Sequence, residues 1–313
     1  MDRRRVVAGS SLVAATLFWA GNYVLGALAV GQMDPLSLVV LRWALALVPL
    51  VVIAQLTEKP DWRAFARHWP WVVALSLTGL AGYNLLLYAA LEHTSPFNAS
   101  LINAFAPALI LLAAAVFLRQ RLTVWGVGGV LVALVGVLVV LTDGALGSLA
   151  GLNVGAGDLL MIGAIGVWTA YTIIGRRAPA LPPIASTAAQ AAVTLVATTP
   201  FAVAGGLDLP RDAGGAWSLV FIALFPSVLS YLLWNRALTV FEAGRAGVYL
   251  NLITVFTALA TVLMGQPLHL AQVLGGVLVL AGVALTSRRT PPAPLSPADT
   301  AGTAGGTTPV RGA

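Results

Sequence analysis

The hydrophobic pattern of the chain consists of long apolar runs separated by short breaks that contain polar residues, glycine or proline. A run of about 20 mostly apolar residues is long enough to cross the hydrocarbon core of a bilayer as an α-helix. The pattern therefore predicts an all-α membrane protein with ten transmembrane helices. Their expected positions are residues 8–29, 35–55, 70–91, 97–118, 124–142, 157–175, 183–204, 216–236, 246–264 and 270–287.

The ten predicted spans form two similar groups of five. The pentapeptide Gly-Gly-Val-Leu-Val stands at residues 128–132, in the fifth span, and again at 275–279, in the tenth. An internal repeat of this size defines the architecture of a chain. We expect one five-helix repeat over residues 1–142 and a second over residues 157–289.

The first apolar run follows a basic N-terminus and has the outline of a cleaved signal peptide. Its Trp19 and Gly26, however, match Trp168 and Gly175 in the sixth span. A cleaved segment has no reason to share a pattern with an internal helix. We therefore expect the first helix to be retained.

Prolines and glycines predict where the spans bend and where they pack. Proline lacks the N–H that continues a helix, so Pro49, Pro107, Pro200 and Pro226 are expected to kink or break their spans. The fifth and tenth spans are rich in glycine and poor in polar side chains. Small residues let membrane helices approach closely, so these two spans are expected to be packing elements.

Basic residues in the loops predict the orientation of the spans, because lysine and arginine concentrate on the cytoplasmic side. With both termini in the cytoplasm, the opposite side receives a loop arginine at Arg211 alone. The cytoplasmic basic residues are then Arg3, Arg4, Arg5, Lys59, Arg63, Arg67, Arg119, Arg121, Arg176, Arg177, Arg236, Arg245, Arg288 and Arg289. Since each repeat has an odd number of spans, the second must run opposite to the first. Such inverted repeats are typical of secondary transporters.

Composition excludes several classes of protein. Hydrophobic residues make up 59% of the chain and charged residues 9%, whereas a soluble domain carries about 25% charged residues. The net charge of +6 does not indicate a nucleic-acid partner, because the basic residues stand in short clusters between apolar spans. The sequence contains no cysteine, and His68, His93 and His269 show no metal-site spacing. We expect neither a metal nor a cofactor.

The last residues, 290–313, are rich in proline, glycine, alanine and threonine and have no apolar periodicity. This composition predicts a disordered cytoplasmic tail.

A set of aromatic, small, proline and glycine positions begins at the end of the third span and recurs in the second copy. The positions are Tyr88 to Leu91, Ala99, Ser100, Pro107, Leu118 to Leu122 and Gly126 to Gly136 in the first copy, and Trp234 to Leu238, Ala246, Gly247, Gly275 and Gly276 in the second. With these positions the chain resembles the drug/metabolite transporter superfamily, and specifically its family with tandem EamA domains. The second copy departs from the pattern at Thr254, which replaces the proline, and at Gln266, where the charged turn is lost.

The resemblance covers residues 8–289 and is greatest to the bacterial aromatic amino-acid exporters. It implies ten spans in the inner membrane, with both termini cytoplasmic. It also implies a central cavity lined by helices 1–4 and 6–9, with the fifth and tenth helices at the periphery.

Aromatic and amide side chains share helix faces in the spans that would line such a cavity. Spacings of three and four residues place Trp19 and Asn22 on one face of the first span, and Trp168 and Tyr171 on one face of the sixth. Plain helix packing and interhelical hydrogen bonds are the alternative explanation. The candidate substrate-binding residues are Trp19, Asn22, Tyr83, Asn84, Tyr88, Asn103, Trp168, Tyr171, Ser230, Tyr231, Trp234, Tyr249 and Asn251.

A few charged residues are candidates for ion pairs or gates, since charge near the membrane interior is functional by default. Arg42 lies inside the second span. It is expected to pair with Asp158 or Glu92, with substrate-carboxylate binding and snorkelling to the interface as alternatives. Glu242 and Arg245 could form a cytoplasmic gate pair or belong to a solvated turn.

These observations predict an inner-membrane exporter of neutral or aromatic amino acids that works by alternating access. Efflux of a drug or another small metabolite by the same fold is the alternative. A membrane-embedded enzyme is not expected, because no catalytic set stands at a usable spacing. No acid lies deep in a predicted span, which favours facilitated efflux over proton coupling. The expected partners are the amino acid and the bilayer, and a monomer is expected.

Overall fold

The computed structural model describes residues 3–119, 122–144, 155–241, 246 and 249–286. The tail over residues 290–313 lies outside this part of the chain. The described residues form α-helices and two π-helical segments, Ser76–Gly82 and Phe225–Leu229. The α-helices are α1 Arg3–Val30, α2 Pro35–Thr57, α3 Trp62–Arg67, α4 Trp69–Leu75, α5 Tyr83–Leu91, α6 Pro96–Asn103, α7 Ala106–Phe117, α8 Val124–Leu141, α9 Ala156–Gly175, α10 Pro183–Gly205, α11 Ala213–Leu224, α12 Ser230–Leu238, α13 Leu252–Leu263 and α14 Leu270–Thr286.

Eight helical stretches in the described ranges are long and apolar enough to cross a membrane. They coincide with the first eight predicted spans and are Arg3–Val30, Pro35–Thr57, Trp69–Leu91, Pro96–Phe117, Val124–Leu141, Ala156–Gly175, Pro183–Gly205 and Ala213–Leu238. The ninth and tenth predicted spans correspond to the shorter apolar helices Leu252–Leu263 and Leu270–Leu285. The described residues thus form helices without strands, as expected of a multi-pass membrane protein. Apolar side chains such as Val48, Val116 and Leu263 are exposed, as they would be on a surface that faces lipid.

Helix starts follow from local capping chemistry. Asp34 accepts hydrogen bonds from the backbone N–H groups of Leu36 and Ser37 at 2.9 and 3.0 Å, just before Pro35 opens α2. Proline suits this first position because its missing N–H has no partner there anyway. Asp212 caps α11 in the same way through the N–H of Gly215 at 2.8 Å.

Only some of the predicted proline breaks are present. The fourth span is interrupted at residues 104–105, just before Pro107, and Pro226 lies in a π-helical segment. Pro49 and Pro200, in contrast, stand inside α2 and α10, which continue through these positions without a break. The third span has an unpredicted π-helical segment over Ser76–Gly82, which contains no proline.

Glycines allow α8 and α14 to pack along each other more extensively than any other helix pair in the described part of the chain. A Cβ atom on Gly282 would lie 2.4 Å from the backbone nitrogen of Ala133, and one on Gly136 would lie 2.6 Å from the carbonyl oxygen of Gly275. The backbones therefore touch at positions where no larger residue fits. This confirms the expectation that the fifth and tenth spans are packing elements.

The helices α2 and α10 connect the two repeats. Each is 23 residues long and opens with proline, and the two pack against each other along much of their length. The Glu58 carboxylate, just after α2, accepts hydrogen bonds from the N–H groups of Ile184 and Ala185 at 2.9 and 2.8 Å. This contact places the end of α2 beside the start of α10, and the start of α2 on the opposite side of the molecule.

Candidate functional site

A cavity of about 710 Å³ lies at the centre of the molecule, enclosed by residues of α1, α2, α4, α5, α6, α7, α9, α10, α12 and α13. Cavities of several hundred cubic ångströms are typical of sites for small organic ligands. The glycine-packed helices α8 and α14 contribute no residue to its lining. This arrangement agrees with the cavity and the peripheral helices that the sequence resemblance implied.

Most of the predicted substrate-binding residues lie in the wall of this cavity. They come from five helices and the residue that precedes α13, and they are brought together only by the fold. The lining residues among them are Trp19, Asn22, Tyr83, Asn84, Asn103, Trp168, Tyr171, Tyr231, Trp234 and Asn251.

Three of the predicted substrate-binding residues, Tyr88, Ser230 and Tyr249, are not part of the lining of this cavity. Tyr88 is fully buried, and its hydroxyl donates to Asn22 Oδ1 at 2.9 Å. Ser230 is also buried, and its hydroxyl donates to the carbonyl oxygen of Ala15 at 3.1 Å. Tyr249 packs against a separate apolar cluster at the N-terminal half of α1, which contains Ala8 and Leu12. The hydroxyls of Tyr88 and Ser230 are used in hydrogen bonds between helices.

The aromatic side chains of the wall form two groups. In one, the Trp19 ring lies 6.0 Å from that of Tyr231 and 5.4 Å from that of Trp234. The Trp19 indole Nε1–H donates to the carbonyl oxygen of Pro226 at 3.1 Å, which fixes the ring against the π-helical segment.

The second aromatic group contains Tyr83, Trp168 and Tyr171. The Trp168 ring lies 5.0 Å from that of Tyr83 and 4.9 Å from that of Tyr171, with the last pair stacked at 30°. A π-face can stack on an aromatic ligand or hold a cation. The two groups together give the cavity two aromatic surfaces.

Hydroxyl and amide groups form a hydrogen-bonded row that includes Tyr83 of the second aromatic group. The hydroxyls of Tyr23 and Tyr83 are hydrogen-bonded at 3.0 Å, and the Tyr83 hydroxyl donates to Asn103 Oδ1 at 3.1 Å. This row joins α1, α5 and α6 across the cavity. Asn103 thus takes part in a structural hydrogen bond as well as lining the space.

The structure gives Arg42 partners other than the predicted carboxylates. Its Nε donates to Ser227 Oγ at 2.7 Å, and its Nη1 lies within hydrogen-bonding distance of Asn84, Tyr88 and Asn22. No ion pair between Arg42 and a carboxylate is present within the described ranges, so the predicted pairing with Asp158 or Glu92 was wrong. The guanidinium also lines the cavity, and it does not snorkel to the surface.

The predicted acidic partners have other roles. Asp158 caps the start of α9 by accepting from the N–H of Gly155 at 3.2 Å, and it accepts a second hydrogen bond from the Thr94 hydroxyl at 3.3 Å. Glu92 is exposed at the end of α5. The proposed gate residues Glu242 and Arg245 lie outside the described residues.

Several cavity residues were not predicted, among them Tyr23, Trp71, Thr187, Gln190 and Asn235. A signal for Gln190 was present in the repeat. It is the eighth residue of α10, as Arg42 is the eighth residue of α2, and both helices open with proline. When the two repeats are aligned at these helix starts, Gln190 occupies the position of Arg42.

The cavity reaches one side of the molecule. Its lining continues through Trp71 at the start of the third span to Arg176 and the loop residues Pro179 and Leu181, between α9 and α10. The opposite side carries hydrogen bonds between the two repeats. There Gln32 Nε2 donates to Asp212 Oδ2 at 3.1 Å, and the N–H of Asp208 donates to Ser37 Oγ at 2.9 Å.

The chemistry of the lining is suited to binding. Among the described residues, no group of three histidine, aspartate or glutamate side chains could hold a metal ion. The lining contains aromatic rings, aliphatic side chains, amides, hydroxyls, the buried guanidinium of Arg42 and the exposed guanidinium of Arg176. Such a surface can recognise a small amphipathic molecule with ring-stacking and polar contacts.

Comparisons with known proteins agree with this architecture. A transporter of Bacillus subtilis described as "Uncharacterized transporter YyaM" is 30% identical over 281 residues, covering 88% of this chain and 92% of the relative. A "Probable terminal-alkyne amino-acid exporter" of Streptantibioticus cattleyicolor is 29% identical, covering 73% and 76%. A "Probable amino-acid metabolite efflux pump" of Salmonella typhimurium is 25% identical, covering 88% and 93%.

A protein of known crystal structure shares the fold, with a TM-score of 0.64 and 21% sequence identity over 90% of this chain and 96% of the other. The sequence itself matches the EamA-like transporter family twice, over residues 8–142 and 155–288. These two matches cover nearly all of the helical part of the chain and confirm the tandem EamA domains. The chain therefore belongs to the EamA-like transporter family, within the drug/metabolite transporter superfamily.

Proposed function

We propose that the protein exports neutral amino acids, aromatic ones among them, across the bacterial inner membrane. The observation that carries this proposal is the central cavity, whose wall contains two aromatic groups together with amide side chains. A neutral amino acid presents a side chain that can stack on such rings and polar groups that can bond to such amides. The names of two relatives, which refer to amino acids or their metabolites, support the same substrate class.

The proposed mechanism is alternating access by ten spans arranged as two inverted five-helix repeats, with both termini in the cytoplasm. The duplicated family match supports the repeat, and the loop arginines support the orientation. In that orientation the α9–α10 loop is cytoplasmic, so the cavity of this structure is open towards the cytoplasm. An exporter binds its cargo from this side, and rocking of the repeats would then open the opposite side.

A transport assay on proteoliposomes tests the proposal. Vesicles with the protein should exchange radiolabelled phenylalanine, tryptophan, methionine or threonine faster than empty vesicles, with and without a pH gradient. Trp19→Ala should lower the rate to near background, because it removes a ring shared by the contacts to Tyr231 and Trp234. Trp217→Ala is the matched control, since Trp217 is 66% exposed on the outer surface of the molecule.

The same vesicles test the alternative function, which is efflux of a drug or another metabolite. If cationic dyes cross and no amino acid does, the amino-acid proposal is wrong and the alternative holds. If neither class exchanges faster than in empty vesicles, both are rejected.

A further inference from the structure

Arg42 is a buried cation whose hydrogen-bond partners are all neutral. Its side chain is 4% exposed. Nε donates to Ser227 Oγ at 2.7 Å, while Nη1 is 2.6 Å from Asn84 Oδ1 and 2.5 Å from the Tyr88 hydroxyl. Hydroxyl and amide oxygens solvate the guanidinium and fix its direction, but they carry no compensating charge.

The positive charge has no carboxylate counterpart in the described part of the chain. The ion pair between Arg211 and Asp208 lies at the surface and does not involve Arg42. A buried ion without an opposite charge is strongly unfavourable, and proteins keep such groups mainly at functional sites. Arg42 is therefore placed to attract an anion that the protein itself does not supply.

The guanidinium also has a donor left for that anion. None of the hydrogen bonds that the structure describes for Arg42 uses its second terminal nitrogen, Nη2. Arg42 is part of the cavity wall, together with Asn22 and Asn84 beside it. An anionic group entering the cavity would reach Nη2 with the guanidinium already oriented.

We propose that Arg42 binds the carboxylate of the transported molecule, and that a carboxylate is required for tight binding. This inference rests on the proposed function, in which the cavity holds an amino acid. The carboxylate accepts a charge-assisted hydrogen bond from Nη2 and neutralises the buried cation. The cargo class is then small monocarboxylates, amino acids above all, and excludes amines that lack the acid group.

A purely structural role for Arg42 makes different predictions. Its partners lie on α1, α5 and the Phe225–Leu229 segment, so it also ties these elements together. If that were its whole role, the charge of the ligand would not matter to binding. The test therefore varies the charge on the ligand and the charge beside Arg42, and it leaves Arg42 in place.

The first measurement compares three ligands on the full-length protein in lipid nanodiscs, by calorimetry or a radioligand assay. Phenylalanine carries the carboxylate, phenylalaninamide replaces it with a neutral amide, and phenethylamine lacks it. Phenylalanine should bind at least about tenfold more tightly than either analogue, because a hydrogen bond between charged groups is lost in both. Equal affinity for phenylalanine and its amide would overturn the inference.

The second measurement uses Asn84→Asp, which puts a carboxylate on the position that already accepts from Nη1 at 2.6 Å. The new acid neutralises Arg42 from within, so phenylalanine affinity should fall at least about tenfold more than phenylalaninamide affinity does. Asn98→Asp is the control. Asn98 lies outside the cavity lining, and its Oδ1 accepts from Gln272 Nε2 at 2.6 Å, so binding of both ligands should be unchanged.

The outcomes separate this inference from the proposed function. If wild-type protein binds none of the ligands, the proposed function itself fails. If it binds phenylalanine and Asn84→Asp binds phenylalanine equally well, the function stands and the role of Arg42 is rejected. Size-exclusion chromatography and a thermal melt check that Asn84→Asp is folded. Should it not be, the ligand series on the wild-type protein decides alone.

Discussion

The side-chain oxygen of Gln190, Oε1, has no hydrogen-bond partner in the described part of the protein. Its Nε2 donates to Ser186 Oγ at 3.0 Å, but its Oε1 is buried without a hydrogen-bond partner there. Leaving a buried acceptor unpaired costs about 1–3 kcal/mol of stability. Since Gln190 is also part of the cavity wall, we expect Oε1 to accept from an N–H group of the cargo.

Gln190→Met should therefore separate stability from binding. Methionine has a similar shape and removes the unpaired acceptor, so the free energy of unfolding should fall by no more than about 1 kcal/mol and can even rise. Phenylalanine affinity should drop roughly fivefold to tenfold, which corresponds to a net hydrogen bond of about 1 kcal/mol. Thermal melts and calorimetry measure the two effects on the same preparation.

Gln272→Met is the control for this substitution. Gln272 is a satisfied glutamine outside the cavity lining, which donates to Asn98 and accepts from the N–H of His269 at 2.9 Å. Its replacement should lower stability and leave affinity unchanged. If Gln190→Met binds phenylalanine as well as the wild type does, Oε1 is not a ligand contact.

For single residues, the sequence predicted how deep a side chain lies in its span better than it predicted the hydrogen-bond partners of that side chain. Trp19 and Trp168 stand near the middle of apolar spans, too deep for an interface belt, and both line the cavity. The depth of Arg42 was also evident, but its partners were not. Charge alone favoured the acids Asp158 and Glu92, whereas the direction of the side chain around α2 brings it to neutral groups on α1 and α5.

At the scale of helices, regular stretches were predictable and their irregularities were not. The first eight spans follow directly from the length of apolar runs. Proline is an incomplete guide to breaks, because bilayer helices tolerate it when neighbouring groups satisfy the freed carbonyl. The π-helical segment over Ser76–Gly82 contains no proline to mark it, and it packs against α9 and α10, which are distant in the sequence.

Gly79, within that π-helical segment, sets the position of the Tyr171 ring. A Cβ atom at Gly79 would lie 2.3 Å from Tyr171 Cδ2 and 2.9 Å from its Cγ, so the whole ring would have to move. Gly79→Ala should therefore destabilise the fold by about 1–3 kcal/mol, the usual effect of overpacking. It should also weaken phenylalanine binding, because Tyr171 stacks on Trp168 in the cavity wall.

Gly166→Ala is the matched control on the helix that carries Tyr171. A Cβ atom there meets no atom within 4 Å, so neither the melting temperature nor the affinity should fall. A Gly79→Ala protein with unchanged binding would show that the Tyr171 position does not matter to the cargo.

At the scale of the whole molecule, the two sides of the cavity differ in how the repeats meet. One side is open along the α9–α10 loop. On the other, residues from the start of α2 and the loop before it bond to residues just before α11, through Gln32 with Asp212 and Ser37 with Asp208. Hydrophobicity could predict the helices that surround the cavity but not which side is closed, because closure depends on a few polar contacts between distant segments.

If the closed side must open to release cargo, a covalent lock there should stop transport without affecting binding. Gln32 and Gly215 offer the site, because a Cβ atom on Gly215 would lie 3.1 Å from Gln32 Cβ, close to the separation of about 3.5–4.5 Å found in disulfides. The natural chain has no cysteine, so Gln32→Cys combined with Gly215→Cys gives a single defined pair. After oxidation, phenylalanine exchange by proteoliposomes should fall to background and return on reduction.

Binding and chemical controls make this experiment decisive. The oxidised double variant should still bind phenylalanine with wild-type affinity, since the cavity remains open along the α9–α10 loop. The Gln32→Cys single variant, treated with the same oxidant, should transport as the untreated protein does, because no partner thiol exists. If mass spectrometry shows a complete disulfide and exchange continues, cargo does not leave through this side. Alternating access between the two repeats, as proposed, would then be wrong even though the cavity binds its ligand.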